Sequence, residues 1–273
     1  MNTTTTYQRE ARGMSTYLAE LFEARELLWI WSMRDFKVRY NQSVLGALWA
    51  ILQPFSLMVV YSIIFSVFIE VPTDNIPYPV FAYAALLPWT FFANSLNFAI
   101  PSLVNNMNLV SKISFPREIL PLSAIFVCAI DFLIASSIFV LMLLVYRVPV
   151  GVYALLVPLA LAVQIILTFG ISLLASAVNV FHRDIRFIVP LALQVWMYLS
   201  PIIYPASRVP PQWRPVYFLN PMAVLIDTYR RLVLYNQPPD WLHLGIAAFA
   251  SVVLTVLAYR YFKRAEREFA DVI

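Results

Sequence analysis

The sequence predicts an all-α polytopic membrane protein, and three observations carry that prediction. Of its 273 residues 61% are hydrophobic and 12% charged, against roughly 45–50% and 25% in soluble domains. No residue from Tyr40 to Ile69 is charged, a run of 30, where about 20 suffice to cross a bilayer. Further uncharged runs follow, separated by short segments that carry the cations. The expected layout is six transmembrane helices, an N-terminal amphipathic interfacial helix, and re-entrant helices between spans 5 and 6. Residues 1–43 form a cytoplasmic N-terminal segment, 44–262 the transmembrane domain and 263–273 a cytoplasmic tail.

Between Ser15 and Phe36 the apolar residues Leu18, Leu21, Phe22, Leu28, Trp29 and Phe36 recur at helical spacing, and Glu20, Glu23 and Glu26 fall largely elsewhere around the axis. This pattern fits a helix lying in the interface plane, or alternatively a small soluble cap. Arg34, Lys37 and Arg39 place three cations in six residues, suited to anionic head groups at roughly 1 kcal/mol per charge. Asn41, Gln42 and Ser43 break the helix, with Ser43 as an expected cap for the next one. Gly46 is expected to let a neighbouring helix approach closely.

The first span then runs to Ile69. Val80 to Leu103 forms the second, with Pro77, Pro79, Pro88 and Pro101 marking its ends and a kink. The third follows Glu118 and reaches Tyr146, interrupted only by Asp131, and the fourth occupies 148–181. Phe187 to Tyr204 is the fifth and Trp241 to Tyr259 the sixth. Residues 215–226, in a Pro-rich tract, are uncharged but number only 12, too few to cross and suited to dipping in and returning.

With both termini inside, 14 of the 19 Lys and Arg residues fall in cytoplasmic segments, the orientation that the positive-inside rule favours. Residues 1–14 are polar and no short apolar core with a cleavage site follows, so the first span is expected to serve as its own insertion signal. The net charge of +4 reflects this topology, and nucleic acid is not an expected partner. Cys128 is the single cysteine and makes no internal disulfide.

The five glycines are too dispersed to form a phosphate-cradling loop, so ATP, if used, is hydrolysed on another polypeptide. His182-Arg183-Asp184 imitates a kinase triplet without the other kinase motifs. Two histidines and one cysteine offer no metal-ligand spacing. No catalytic residue is expected.

Recognition rests on Arg34-Asp35-Phe36-Lys37-Val38-Arg39-Tyr40 followed by Ser43-Val44-Leu45-Gly46-Ala47-Leu48-Trp49 and Pro54, on Asn179-Val180-Phe181-His182-Arg183-Asp184-Ile185, and on Leu219-Asn220-Pro221-Met222. These strings resemble the ABC-2-type permeases that export bacterial polysaccharides, particularly the O-antigen and teichoic-acid branch, over nearly the whole chain. The resemblance implies a homodimer in the bacterial inner membrane that works with two copies of an ABC ATPase, which holds ATP and Mg, to export a lipid-linked polysaccharide. Its rivals are an ABC-2 exporter of capsular polysaccharide, teichoic acid, lipid or drug, and an intramembrane enzyme acting on polyprenyl-linked sugars.

Several residues acquire candidate roles. Pro54, Met58, Tyr61, Phe65 and Phe68 share one helix face, and Trp196, Tyr198 and Tyr204 add further rings. The aromatic members are candidates to line a substrate channel, with lipid-facing packing as the alternative. The resemblance places a coupling helix near Lys112, Phe115, Arg117 and Glu118, otherwise a solvated loop, and has the loop at His182, Arg183 and Asp184 move with it, otherwise an ordinary basic loop. Arg34, Lys37, Arg39 and Trp49 are interfacial or gate candidates. Asp131, deep in a span, is functional or a partnered structural carboxyl. Arg230 and Arg231 either pair with Asp227 or, by analogy with the exporters, meet the phosphate of a lipid carrier.

Overall fold

The computed structural model describes residues 23–41, 43–73, 76–113 and 115–269. Among these the chain is helical throughout, with no strand. Helix α1 covers Arg25–Tyr40 and α2 Trp49–Ser62, the latter entered through a 3₁₀ turn at Gly46–Leu48 and prolonged by a π-helix at Ile63–Phe68. Then follow α3 (Tyr78–Ala99), the short α4 (Ser102–Asn105) and α5 (Met107–Lys112), and α6 (Ile119–Val145). Next come α7 (Val157–Phe181), α8 (Ile185–Tyr198), the single turn α9 (Arg214–Tyr217), α10 (Pro221–Val233) and α11 (Trp241–Ala265).

Among the described residues four helical segments are long and apolar enough to cross a membrane: Gly46–Phe68, Ile119–Val145, Val152–Phe181 and Trp241–Ala265. The expected second and fifth spans depart from this class for different reasons. In α3, 17 of the 22 residues are buried, because the other helices surround it. It includes Pro88, Trp89, Thr90 and Ser95 among its buried residues, which lowers its hydropathy without exposing it to lipid. Helix α8 has only 14 residues and stops at Tyr198 rather than Tyr204. Three turn residues and Pro201 end it, since proline cannot continue the hydrogen-bond ladder.

The prolines act largely as the sequence foretold. Pro77 caps α3, Pro88 lies inside it and Pro101 separates it from α4. Two local expectations fail. Helix α2 begins with no side-chain cap, so Ser43 does not serve as one. A Cβ on Gly46 would meet nothing within 4 Å, yet its φ is +52°, so the glycine is required by the left-handed turn, not by a close helix. The close approach occurs instead at Gly170 in α7, where a Cβ would come within 3.0 Å of the Thr255 backbone in α11. Thr255 Oγ1 donates to the Ile166 carbonyl at 2.8 Å across the same crossing.

Two apolar cores result. The larger surrounds α3 and draws on α2, α6, α7, α8, α10 and α11. A second, separate cluster joins Leu103, Val110, Leu120, Val180, Phe262 and Phe269 at one end of the bundle, with Trp31 and Phe115 against it. We call this the basal end and the opposite one distal.

The N-terminal helix was expected over 15–36. Leu18, Leu21, Phe22 and Glu20 lie outside the described residues, and α1 continues to Tyr40, so the cationic stretch belongs to it. Only Ser32 in it is fully buried, while Trp29 and Ile30 are exposed. The helix follows α6 in the same chain sense: Trp31 stacks on Phe115 just before α6, the Ser123 hydroxyl donates to Asp35, and Arg39 reaches Asp131.

Candidate functional site

The polar side chains gather at three places along the bundle. At the basal end, Glu118 opens α6 and is 1% exposed. It accepts from the Tyr259 hydroxyl at 2.9 Å and from Lys263 Nζ at 2.9 Å, both on α11. Lys263 also pairs with Glu266 at 3.0 Å, and Arg117 donates to the Glu266 carbonyl at 2.5 Å. A buried carboxylate survives only with such partners, so these bonds fix the start of α6 to the last long helix. Arg117 and Glu118 therefore face inward, as braces rather than as surface contacts. Lys112, at the end of α5, stays exposed. Phe115 is half-buried, stacked on Trp31 at 6.3 Å. His182, Arg183 and Asp184 form an exposed turn between α7 and α8. Asn179 donates to the Ile100 carbonyl at 3.3 Å, tying that turn's helix to the break before Pro101.

Midway along α6, Asp131 is partnered. Arg39 Nη1 lies 2.8 Å from its Oδ2, and the Tyr40 hydroxyl donates to Oδ1 at 2.7 Å. Burial, reinforced by this hydrogen bond to a carboxylate, pushes the Tyr40 hydroxyl well above its ordinary pKa. The Arg39 guanidinium also sits 3.8 Å from the centre of the Phe98 ring. A cavity of about 220 Å³ lies here, with Trp49, Gln53 and Asn94 in its wall. Gln53 and Asn94 exchange hydrogen bonds at 2.9 and 3.4 Å. Arg34 pairs with Asp35 at 2.8 Å and lies over the Trp31 ring at 3.7 Å, while Lys37 is exposed.

The aromatic candidates divide. Tyr61 is buried, its hydroxyl 3.8 Å from Met197 Sδ, and Phe65 packs 6.4 Å from Tyr78. Phe68 is 75% exposed. Trp196 Nε1 donates to Asn220 Oδ1 at 2.8 Å and its ring meets Phe92 edge-on. Asn220 in turn caps α10 by accepting from the amides of Met222 and Ala223, with Pro221 at the first helical position. Tyr198 is exposed, and Tyr204 donates to its carbonyl at 3.3 Å.

At the distal end the Pro-rich segment folds over α10. Arg230 is 2% exposed. It donates to the carbonyls of Phe81 at 3.1 Å, Ile202 at 2.8 Å and Pro201, with its guanidinium 3.5 Å from the centre of the Phe81 ring. These contacts make it a clamp holding the chain after α8 against α3. Arg231 pairs with Asp227 at 2.9 Å, the local ion pair that the sequence allowed. His243 pairs with Asp240 at 2.8 Å. Burial raises the Asp240 carboxyl, but hydrogen bonds from His243 outweigh it and hold the group below its ordinary range.

Sequence reasoning missed Gln164. It is fully buried in α7, donates to the Pro88 carbonyl at 2.6 Å and accepts from the Tyr229 hydroxyl at 2.9 Å, joining three helices. Its signal was an amide inside an uncharged run, overlooked because only charges were sought. No group of three metal-ligating side chains occurs among the described residues.

Comparison with known proteins matches residues 26–234 to the ABC-2 type transporter model. The chain is 31% identical over 249 residues to the O-antigen export system permease protein RfbA of Klebsiella pneumoniae, covering 91% of this chain and 95% of that protein. It is 30% identical over 263 residues to the RfbA permease of Myxococcus xanthus, covering 95% and 100%. With the polysialic acid transport protein KpsM of Escherichia coli it shares 23% identity over 240 residues, 86% and 91% of the two chains. A helical bundle with four membrane-length segments, matched over most of its length by one family model, belongs to the ABC-2 type transporter family.

Proposed function

We propose that this chain is the permease subunit of an ATP-driven exporter that moves a lipid-linked polysaccharide out of the bacterial cytoplasm. The observation that carries the reading is the 30–31% identity to O-antigen export permeases over more than nine-tenths of the chain. In this reading the bundle crosses the inner membrane six times. Helices α3 and α8 supply the two crossings that length and hydropathy leave out, and α10 dips in from the distal side and returns. Both termini are cytoplasmic, so the basal end faces the cytoplasm.

The chain works as a homodimer with two copies of a separate ABC ATPase, which holds ATP and Mg. Support for a second copy comes from the face formed by α2, its π-helix and α8. Trp49, Val67, Phe68, Phe187 and Leu191 are all more than half exposed along it, an apolar surface that either lipid or another protomer must cover. Lys112, Ile113 and the turn at His182 form the exposed surface on which the ATPase docks. Its closure on ATP then shifts the helices between closed and open populations. Arg117 and Glu118 transmit the push into α11 rather than receiving it directly, and Arg39, Tyr40 and Asp131 hold α1 against α6 as a gate element. The aromatic candidates that remain exposed, Phe68 and Tyr198, line the conduit between protomers. The capsular alternative is favoured only by the more distant similarity to the polysialic acid transport protein.

Deleting the gene tests the reading. Surface polysaccharide is expected to disappear while lipid-linked polymer accumulates inside, and a plasmid copy is expected to restore export only when the ATPase gene is intact. Normal surface polysaccharide in the deletion strain would overturn it.

A further inference from the structure

At the distal end a cavity of about 730 Å³ opens between the Pro-rich segment, α10 and the start of α11. Its size falls within the range of small-molecule sites. The wall includes Arg214, Asp227, Arg231, Asp240, His243 and Phe218. We infer that this cavity is a subsite for sugar hydroxyls, holding a short segment of the exported glycan. The inference rests on the orientation given above, in which the distal end is the outer one.

The wall mixes both signs, with the guanidiniums of Arg214, Arg230 and Arg231 beside the carboxylates of Asp227 and Asp240. Arg231 lies 2.9 Å from Asp227 and His243 lies 2.8 Å from Asp240. Arg214 donates to the carbonyls of Val209 and Ser207, each at 3.0 Å, and Arg230 is spent on three further carbonyls. The two carboxylates oppose an anion and the guanidiniums attract it, so the wall's charge is mixed and its hydrogen-bonding groups are of both kinds.

The same groups suit a polyol. The ion pairs are only partly covered, with side-chain exposures of 36% and 21% for Arg231 and Asp227, and 30% and 41% for His243 and Asp240. A partly exposed guanidinium or carboxylate keeps N–H groups and lone pairs for a ligand while its charge is balanced. Vicinal hydroxyls can donate to the carboxylates and accept from the guanidinium at the same time. Phe218, 4.8 Å from the His243 ring, supplies an apolar face for the C–H side of a pyranose. Paired charge also lets a polymer slide on, since no single bond in the wall has to be broken to release it.

The test uses the complete permease–ATPase complex in lipid nanodiscs. Cys128 is the chain's only cysteine, so a Cys128→Ala, Arg208→Cys variant accepts a single environment-sensitive fluorophore beside the cavity. The probes are short oligosaccharides cut from the strain's own surface polysaccharide after mild-acid release from lipid, and inorganic pyrophosphate in parallel. A saturable response to the oligosaccharide is expected, weakened at least fivefold by Asp240→Ala and by Phe218→Ala, with no competition from pyrophosphate. Phe218→Ala removes no charge, and an unchanged elution volume and thermal unfolding midpoint show that each variant complex is intact. No oligosaccharide response, or displacement of it by pyrophosphate, would overturn the inference. Export by the labelled variant in cells separates the two claims: export without oligosaccharide binding sinks only the subsite, whereas normal export in the deletion strain sinks the exporter reading.

Discussion

The two ends of the bundle use charge in opposite ways. At the basal end Glu118 is 1% exposed and its partners come from a helix almost 150 residues away in sequence, so the pairs close one segment against another. At the distal end the pairs are local, three or four residues apart, and their side chains remain open to the cavity. The contrast teaches that pairing distance and exposure together separate a brace from a working surface. A buried long-range pair loses heavily when broken, because the survivor is left uncompensated. An exposed local pair loses little and stays available to a ligand.

The sharpest way to break this comparison is Lys263→Ala. It leaves Glu118 without its cation and Glu266 with only Arg117, 3.8 Å away, and is expected to destabilise the protein by roughly 3–5 kcal/mol, read as a fall in the thermal unfolding midpoint of the purified protein. Adding Glu118→Ala is expected to recover part of the loss, the signature of direct coupling in a double-mutant cycle. A cost below about 1 kcal/mol for the single variant would remove the brace. A smaller effect is expected for Arg39→Ala, which deprives Asp131 of its charged partner while Tyr40 remains. Loss of a hydrogen bond to a charged group predicts about 1.5–3 kcal/mol, together with faster proteolysis of α1. If α1 stays as protected as in the parent, it is not held to α6 by this pair.

The smallest effect belongs to Asp240→Asn, expected to cost below ~1 kcal/mol as an exposed pair. The carboxyl is held below its ordinary range, so its contribution is present above the unfolded value of ~4 and is lost as pH falls through the depressed folded value. Unfolding midpoints of parent and variant are thus expected to differ slightly at neutral pH and to converge in acid. Convergence on raising the pH instead would contradict the pairing.

The helices were legible where a single property decides them. Long uncharged runs placed α6 to within a residue or two, and α2, α7 and α11 with one end displaced by several residues, while the prolines marked both ends of α3. The burial of α3 was not legible, because a helix surrounded by protein and one surrounded by lipid can carry the same apolar residues. Nor was the stop of α8 at Tyr198, since Leu199 and the apolar residues after Pro201 extend the run beyond the helix. At the sites, local pairs such as Asp227 with Arg231 follow from helical spacing. Glu118 with Lys263 and Arg39 with Asp131 depend on which helices meet, and neither periodicity nor composition encodes that. The sequence could not tell that Glu118 turns inward while Lys112 faces out.

The central claim is that this chain is a conduit moved by another subunit's ATP hydrolysis. The direct measurement is reconstitution of the purified chain into liposomes with lipid-linked polysaccharide, with and without a candidate ABC ATPase from the same strain. The account predicts no ATP hydrolysis by the chain alone, and ATP-dependent transfer of the polymer across the bilayer only when both proteins are present. ATP turnover by the isolated chain, or transfer that needs neither ATP nor the second protein, would contradict it.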